Sequence, residues 1–262
     1  MASTLLVKDV LWRVSVLLQD TVPQFQRWPE AELIYWLNDA QDAIAKYLPS
    51  ECSMLGALKL RAGTLQAVDT VAAVDFKPSI GPVPVVPING NRFVAPFRNM
   101  GAEGLTAGRA VRMVDRDILD GQDPDWHTRT GARIDSVMFD ETTPRVFWVS
   151  PGVTGVLWMQ IAFLAQPTRI PAGGAPAAEV YKIEGTSPAT ISISDTNLDE
   201  IVDYMIARAN MKETTYSDAN KVTIHTQRFL GSINARAMAA TGVNPNLRLL
   251  PGITPESHRA AA

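Results

Sequence analysis

The chain has 262 residues and a mass of 28.5 kDa, 46% apolar and 19% charged. That composition excludes a disordered or fibrous protein and leaves room for one large domain or two small ones. Lys+Arg number 24 against 27 Asp+Glu, a net of −3, so no overall basic field would hold nucleic acid by counterion release. The one cysteine, Cys52, excludes an intrachain disulfide and a metal site built of cysteines alone.

The amino terminus, MASTLLVKDV, has neither the basic nor the apolar region of a secretory leader, so none is expected. Val7, Val10, Leu11, Val14, Leu17 and Leu18 fall on one stripe of a 3.6-residue period. They predict a helix capped by Ser3 or Thr4 and stopped before Pro23. A second helix is predicted from Trp28-Pro29-Glu30. Leu33, Leu37, Ala40, Ile44 and Leu48 form its apolar face, and Pro49 ends it. The short link predicts an antiparallel pair.

The period then changes. Residues 55–62 and 65–74 read as strands that pair across a turn at Gly63-Thr64. Residues 78–96 hold five prolines and read as an extended excursion or sheet edge, with Asn89-Gly90 as a hairpin turn. A short strand is expected at 110–114, then a brief helix capped by Asp115. Strands at 133–139, 145–150 and 156–164 form a β-meander in outline. The last is too short and too alternating to cross a membrane. Residues 180–183 and 190–194 read as a small extra hairpin. A helix capped by Asp195 or Thr196 follows, with Leu198, Ile201, Val202, Met205, Ile206 and Ala209 on one face. Ser217 is a candidate cap for a last helix through Val222, Thr226, Phe229, Ile233 and Ala237, closed by Gly242.

The expected fold is α+β. N- and C-terminal helix pairs (1–50 and 196–242) join in a four-helix bundle, carrying an inserted antiparallel β-rich domain (51–195) and an extended tail (243–262). Leu247, Leu249, Leu250 and Ile253 should not stay in water, so the tail is expected to dock on a groove of this or another chain.

The richest polar stretch is 115–127, with five aspartates and His127. The calcium-loop pattern fails, because Leu119 and Asp120 occupy the fifth and sixth positions. Caps and turns account for these aspartates better than a site does. His127, His225 and His258 are far apart and fit no metal motif, with His225 beside the apolar stripe of its helix. Nucleophile elbow, phosphate loop and dinucleotide fingerprint are all missing from the sequence. No catalytic, cofactor-binding or metal residue is therefore nominated, and the protein is not expected to be an enzyme. Of six tryptophans, Trp28, Trp36 and Trp126 are nominated as interface candidates, with core packing as the default alternative.

Several segments, taken in order, resemble one family. They are RWPEAELIYWLNDAQDAI (27–44), RNMG (98–101), GRAVRMVDRDILD (108–120), PDWH (124–127), YMIARAN (204–210) and YSDAN (216–220). They are similar to head-to-tail adaptors (connectors of the tail-tubular-protein-A type) of short-tailed bacteriophages, the podoviruses. The resemblance implies a structural virion protein at the portal vertex, assembled in the host cytoplasm, with no cofactor and no membrane partner. It implies a ring of twelve copies between the portal protein and the tail nozzle or tail tube protein, with the tail fibre as a further contact. DNA would pass through the lumen without sequence readout. The tail residues Leu247, Arg248, Leu249, Leu250 and Ile253 would dock on the portal. A tail-associated cell-wall hydrolase using the 115–125 carboxylates, and a glycan- or receptor-binding module built on 51–195, are the alternatives.

Overall fold

The first apolar stripe becomes helix α1, Val7–Leu17, with Val7, Val10, Leu11 and Val14 buried. The helix stops earlier than Pro23 requires. Gln19 takes a left-handed φ of 58°, and the Asp20 N–H closes back on the Ser15 carbonyl at 3.0 Å. Thr4 does not cap it, because its hydroxyl donates to Asp195 Oδ2 at 2.6 Å, 191 residues along the chain. Asp20, buried, accepts from the backbone N–H of Trp28 at 3.0 Å and of Arg27 at 3.2 Å. Its carboxylate thus fixes the entry to helix α2, Glu30–Tyr47, whose apolar face is the one its spacing predicts.

The computed structural model describes residues 4–20, 27–79, 87–171, 188–212 and 218–243, with side chains to 239. After α2 come β1 (Ser53–Lys59), β2 (Gly63–Ala67), β3 (Phe76–Pro78), β4 (Gly90–Asn99) and β5 (Arg112–Met113). Helix α3 (Arg116–Gln122) is followed by β6 (Thr130–Gly131), β7 (Ser136–Phe139), β8 (Val146–Val153) and β9 (Trp158–Ala165). Helices α4 (Leu198–Met211) and α5 (Ala219–Val243) end the described chain.

The strands form two sheets, one in the order β3-β1-β9-β4 and one in the order β2-β8-β7-β5, with β6 added beside β8. The expected β1–β2 hairpin is not made. β1 pairs with β3 and β9, and β2 with β8. The corner between them is held by Gln66, whose side chain accepts from the Arg61 N–H and donates to the Arg61 and Gly63 carbonyls. With the local backbone groups satisfied by that side chain, the chain is free to leave for the second sheet. The meander is likewise split, since β7 and β8 pair but β9 inserts between β1 and β4. Pro96 lies in β4, an edge strand, where its missing N–H is tolerated. The Asn89-Gly90 hairpin is half outside the described residues, and Gly90 begins β4 rather than turning the chain. The 180–183 strand also lies outside them. Thr190 instead bridges to Leu6.

A shared core fills the space between the sheets. Phe93 of β4 stacks on Phe147 of β8 with centroids 4.3 Å apart, and Phe76 meets Phe163 edge-on at 5.4 Å. Asn99, buried at the end of β4, accepts from the Ile134 N–H and donates to its carbonyl, tying the first sheet to the approach of β7.

The class is α+β, with five α-helices and two multi-stranded sheets among the described residues, but the expected four-helix bundle of terminal pairs is not what forms. α4 is a hub instead. α5 packs along it and α1 and α2 abut it, while α1 meets α2, and α2 meets α5, only sparsely. Bundle packing needs neighbouring helices to interdigitate along their length. Here Cys52, from a 3-10 turn, and Ile170, Ile191 and Ile193, from irregular chain, fill the same core. The remaining helix, α3, lies among the strands.

Candidate assembly surfaces

The carboxylates of 115–127 are mostly occupied locally. Asp115 caps α3 by accepting from the Asp117 N–H at 3.1 Å. Asp120 accepts from Trp126 Nε1 at 2.5 Å and pairs with Arg116 one turn back. Asp123 pairs with Arg129 at 2.7 Å. His127 lies edge-on to Trp126, whereas His225 sits on α5 with Nδ1 2.7 Å from Asp203, so no pair of histidines converges. His258 lies outside the described residues. Among the described residues no group of three His, Cys, Asp or Glu is placed to hold a metal. Burial, with Glu51 and Asp42 adding to it, pushes the Cys52 thiol up to about 11, which leaves it a protonated packing group at neutral pH.

The three nominated tryptophans divide. Trp28 is 3% exposed, and its indole donates to the Ala209 carbonyl at 3.1 Å. That carbonyl lies in the last turn of α4, where helix acceptors have no intrahelical partner, so Trp28 satisfies the end of the hub helix. Trp126 is also 3% exposed and anchors the α3 loop. Trp36 is half-buried against the helical core. The exposed tryptophan is Trp12, at 49%, which forms an outward apolar face of α1 with Val16 and Leu17. Position 12 falls off the expected Val7-Val10-Leu11-Val14-Leu17-Leu18 stripe, whereas Leu17, expected on that stripe, is exposed at the last residue of α1. The tail residues Leu247, Arg248, Leu249, Leu250 and Ile253 lie outside the described residues.

A second surface is an open groove of about 270 Å³ between the C-terminal end of α2, α4 and the first half of α5. Tyr47, Tyr204, Met211, Phe229 and Leu230 supply its apolar walls, and Lys46 and Arg208 its charge. Arg208 donates to the Tyr204 hydroxyl and lies over that ring, 5.3 Å from its centroid. The Thr226 hydroxyl, also lining the groove, is buried without a hydrogen-bond partner.

α5 is tied to α4 by Phe229 and Ile233 in the shared core and by polar contacts. The buried Glu200 accepts from Ser232 at 2.5 Å and lies 3.5 Å from Arg236. Arg236 also donates to Asn197 Oδ1 and to the Thr196 carbonyl. Of the large apolar residues of α5, Phe229 and Ile233 are buried, whereas Ile224, Leu230 and Met238 are exposed. The helix therefore presents an outward apolar face as well.

The described surface thus combines helices with apolar residues on their outer faces, a charged groove, and an aspartate-rich loop in which Asp115, Asp120 and Asp123 serve a cap and ion pairs. No helix among the described residues is long and apolar enough to cross a membrane. No curated protein matches the chain. The profile described as SU10 adaptor protein matches residues 6–248. That span takes in both sheets and all five helices, and the chain belongs to the SU10 adaptor protein family, a phage head–tail adaptor family.

Proposed function

We propose that the protein is the ring-forming adaptor of a short-tailed phage, seated between portal and tail nozzle and continuing the DNA channel. The observation that carries this reading is the family match over 6–248, nearly the whole chain. Copies pair head-to-tail and close into a ring, with twelve as the expected number. The exposed faces of α1 and α5 supply area for those contacts. A net charge of −3 suits a conduit through which DNA slides, since a strongly basic lining would retain it. The helical (1–50 and 196–242) and β-rich (51–195) parts act as two units, joined where Cys52, Ile170, Ile191 and Ile193 of the second enter the helical core, and the tail 243–262 reaches the portal through Leu247, Arg248, Leu249, Leu250 and Ile253. Co-sedimentation of the purified chain with portal rings tests the reading. Retention with the portal supports it, and a folded chain that stays in the supernatant sinks it.

A further inference from the structure

α3 is an anomaly within its own subunit. It has seven residues, too few for a helix to be stable in water alone, and none of them is buried. Ile118 is 54% exposed and Met113, just before it, 50%. The aspartates of α3 and of the turn after it are not all matched. Asp117 and Asp125 are exposed and, among the described residues, pair with no cation. Within the subunit Asp120 accepts from the Trp126 indole and the Arg116 guanidinium lies over the Trp148 ring, 4.9 Å from its centroid, which leaves Ile118 without a described packing partner.

The α2–α4–α5 groove is complementary to it. Its lining includes Lys46 and Arg208 but no carboxylate, and neither cation has an acidic partner among the described residues. Both are instead held over tyrosine rings, Lys46 at 5.9 Å from Tyr47 and Arg208 at 5.3 Å from Tyr204. The floor is apolar, with an unpartnered Thr226 hydroxyl. An amphipathic helix laid in an apolar groove, with charges matched at the rim, is an established recognition mode.

We propose that α3 of one copy, with the turn after it, docks in the α2–α4–α5 groove of the next, Ile118 entering between Phe229 and Tyr47 while Asp117 of α3 and Asp125 of the turn face Lys46 and Arg208. The two surfaces differ, so the contact is heterologous and repeats head-to-tail, as ring closure requires. The proposal rests on the ring-forming reading but goes beyond it in naming the two surfaces.

The test uses full-length chains and analytical ultracentrifugation over a concentration series, alone and with portal rings present. One variant, K46E/R208E, reverses the groove. The other, D117K/D125K, reverses α3. Each alone should associate about tenfold or more weakly than wild type. Mixed in equal amounts they should assemble again, because each reversed groove then meets a reversed α3 and each native groove a native one. Variants that assemble as well as wild type, or a mixture that fails to recover, overturn the assignment of these surfaces while leaving the ring intact. A wild-type chain that never self-associates, even with portal present, overturns the ring reading together with it.

Discussion

Replacing Trp28 by alanine separates a core role from an interface role for this residue. Trp28 is 3% exposed within one subunit, and its indole N–H reaches the Ala209 carbonyl at 3.1 Å. Removing a buried large aromatic costs about 4 kcal/mol through lost burial and the cavity left behind. The carbonyl left without a donor adds about 1 kcal/mol. For a chain of this size each kcal/mol lowers the melting temperature by about 2–4 °C, so the melting point of the dilute monomer should fall by about 10–20 °C. Trp28→Phe keeps most of the ring and loses the hydrogen bond, and should cost about 1–2 kcal/mol. Trp12→Ala is the control. Trp12 is half exposed, so its loss should leave the monomer's melting temperature nearly unchanged and weaken self-association. The assay is circular dichroism at 222 nm below the association concentration. A shift under about 4 °C for Trp28→Ala would refute the packing argument.

Arg236→Ala leaves the buried Glu200 without its cation. It should destabilise by about 2 kcal/mol, less than a fully buried pair would, because Arg236 is one-third exposed; chemical denaturation of the monomer measures this. Cys52 should resist alkylation at pH 8 until the chain is denatured, and rapid labelling of the native protein would contradict its placement. Its folded pKa of about 11 lies above the ordinary 9.0, so the associated stability is complete below pH 9 and is lost as the pH rises toward 11, which melting curves across that window will show. Deleting 243–262 should leave the helical content almost intact and reduce co-sedimentation with the portal. Undiminished portal binding by the truncated chain removes the tail assignment.

Much of the local structure was legible because its causes are local. The apolar spacing and flanking prolines of α2 gave its limits to within a residue or two, and Asp115 announced the cap of α3. The separation of β1 from β2 was not legible. It depends on pairing of β1 with β9 about a hundred residues away and on the Gln66 side chain, neither of which has a periodic signature. The hub role of α4 was hidden for the same reason. An amphipathic stripe says that a face is buried, but not that Ile170, Ile191 and Ile193 from irregular chain cover part of it in place of another helix. Tryptophans are ambiguous by nature, since a large ring suits a core and an interface equally. The fact that decided between them was position relative to the stripe, which put Trp12 outside and Trp28 at a helix end that needed a donor. The groove and α3 could not be matched from sequence, because Lys46, Arg208 and Phe229 come from three separate helices.

The proposed function has this chain form a ring against the portal. Negative-stain imaging of the purified protein mixed with its portal tests it most directly. A ring-forming adaptor gives a second ring of density on one face of the portal, coaxial with it and with an open central channel. Portal particles without added density, in the presence of excess folded protein, would contradict it.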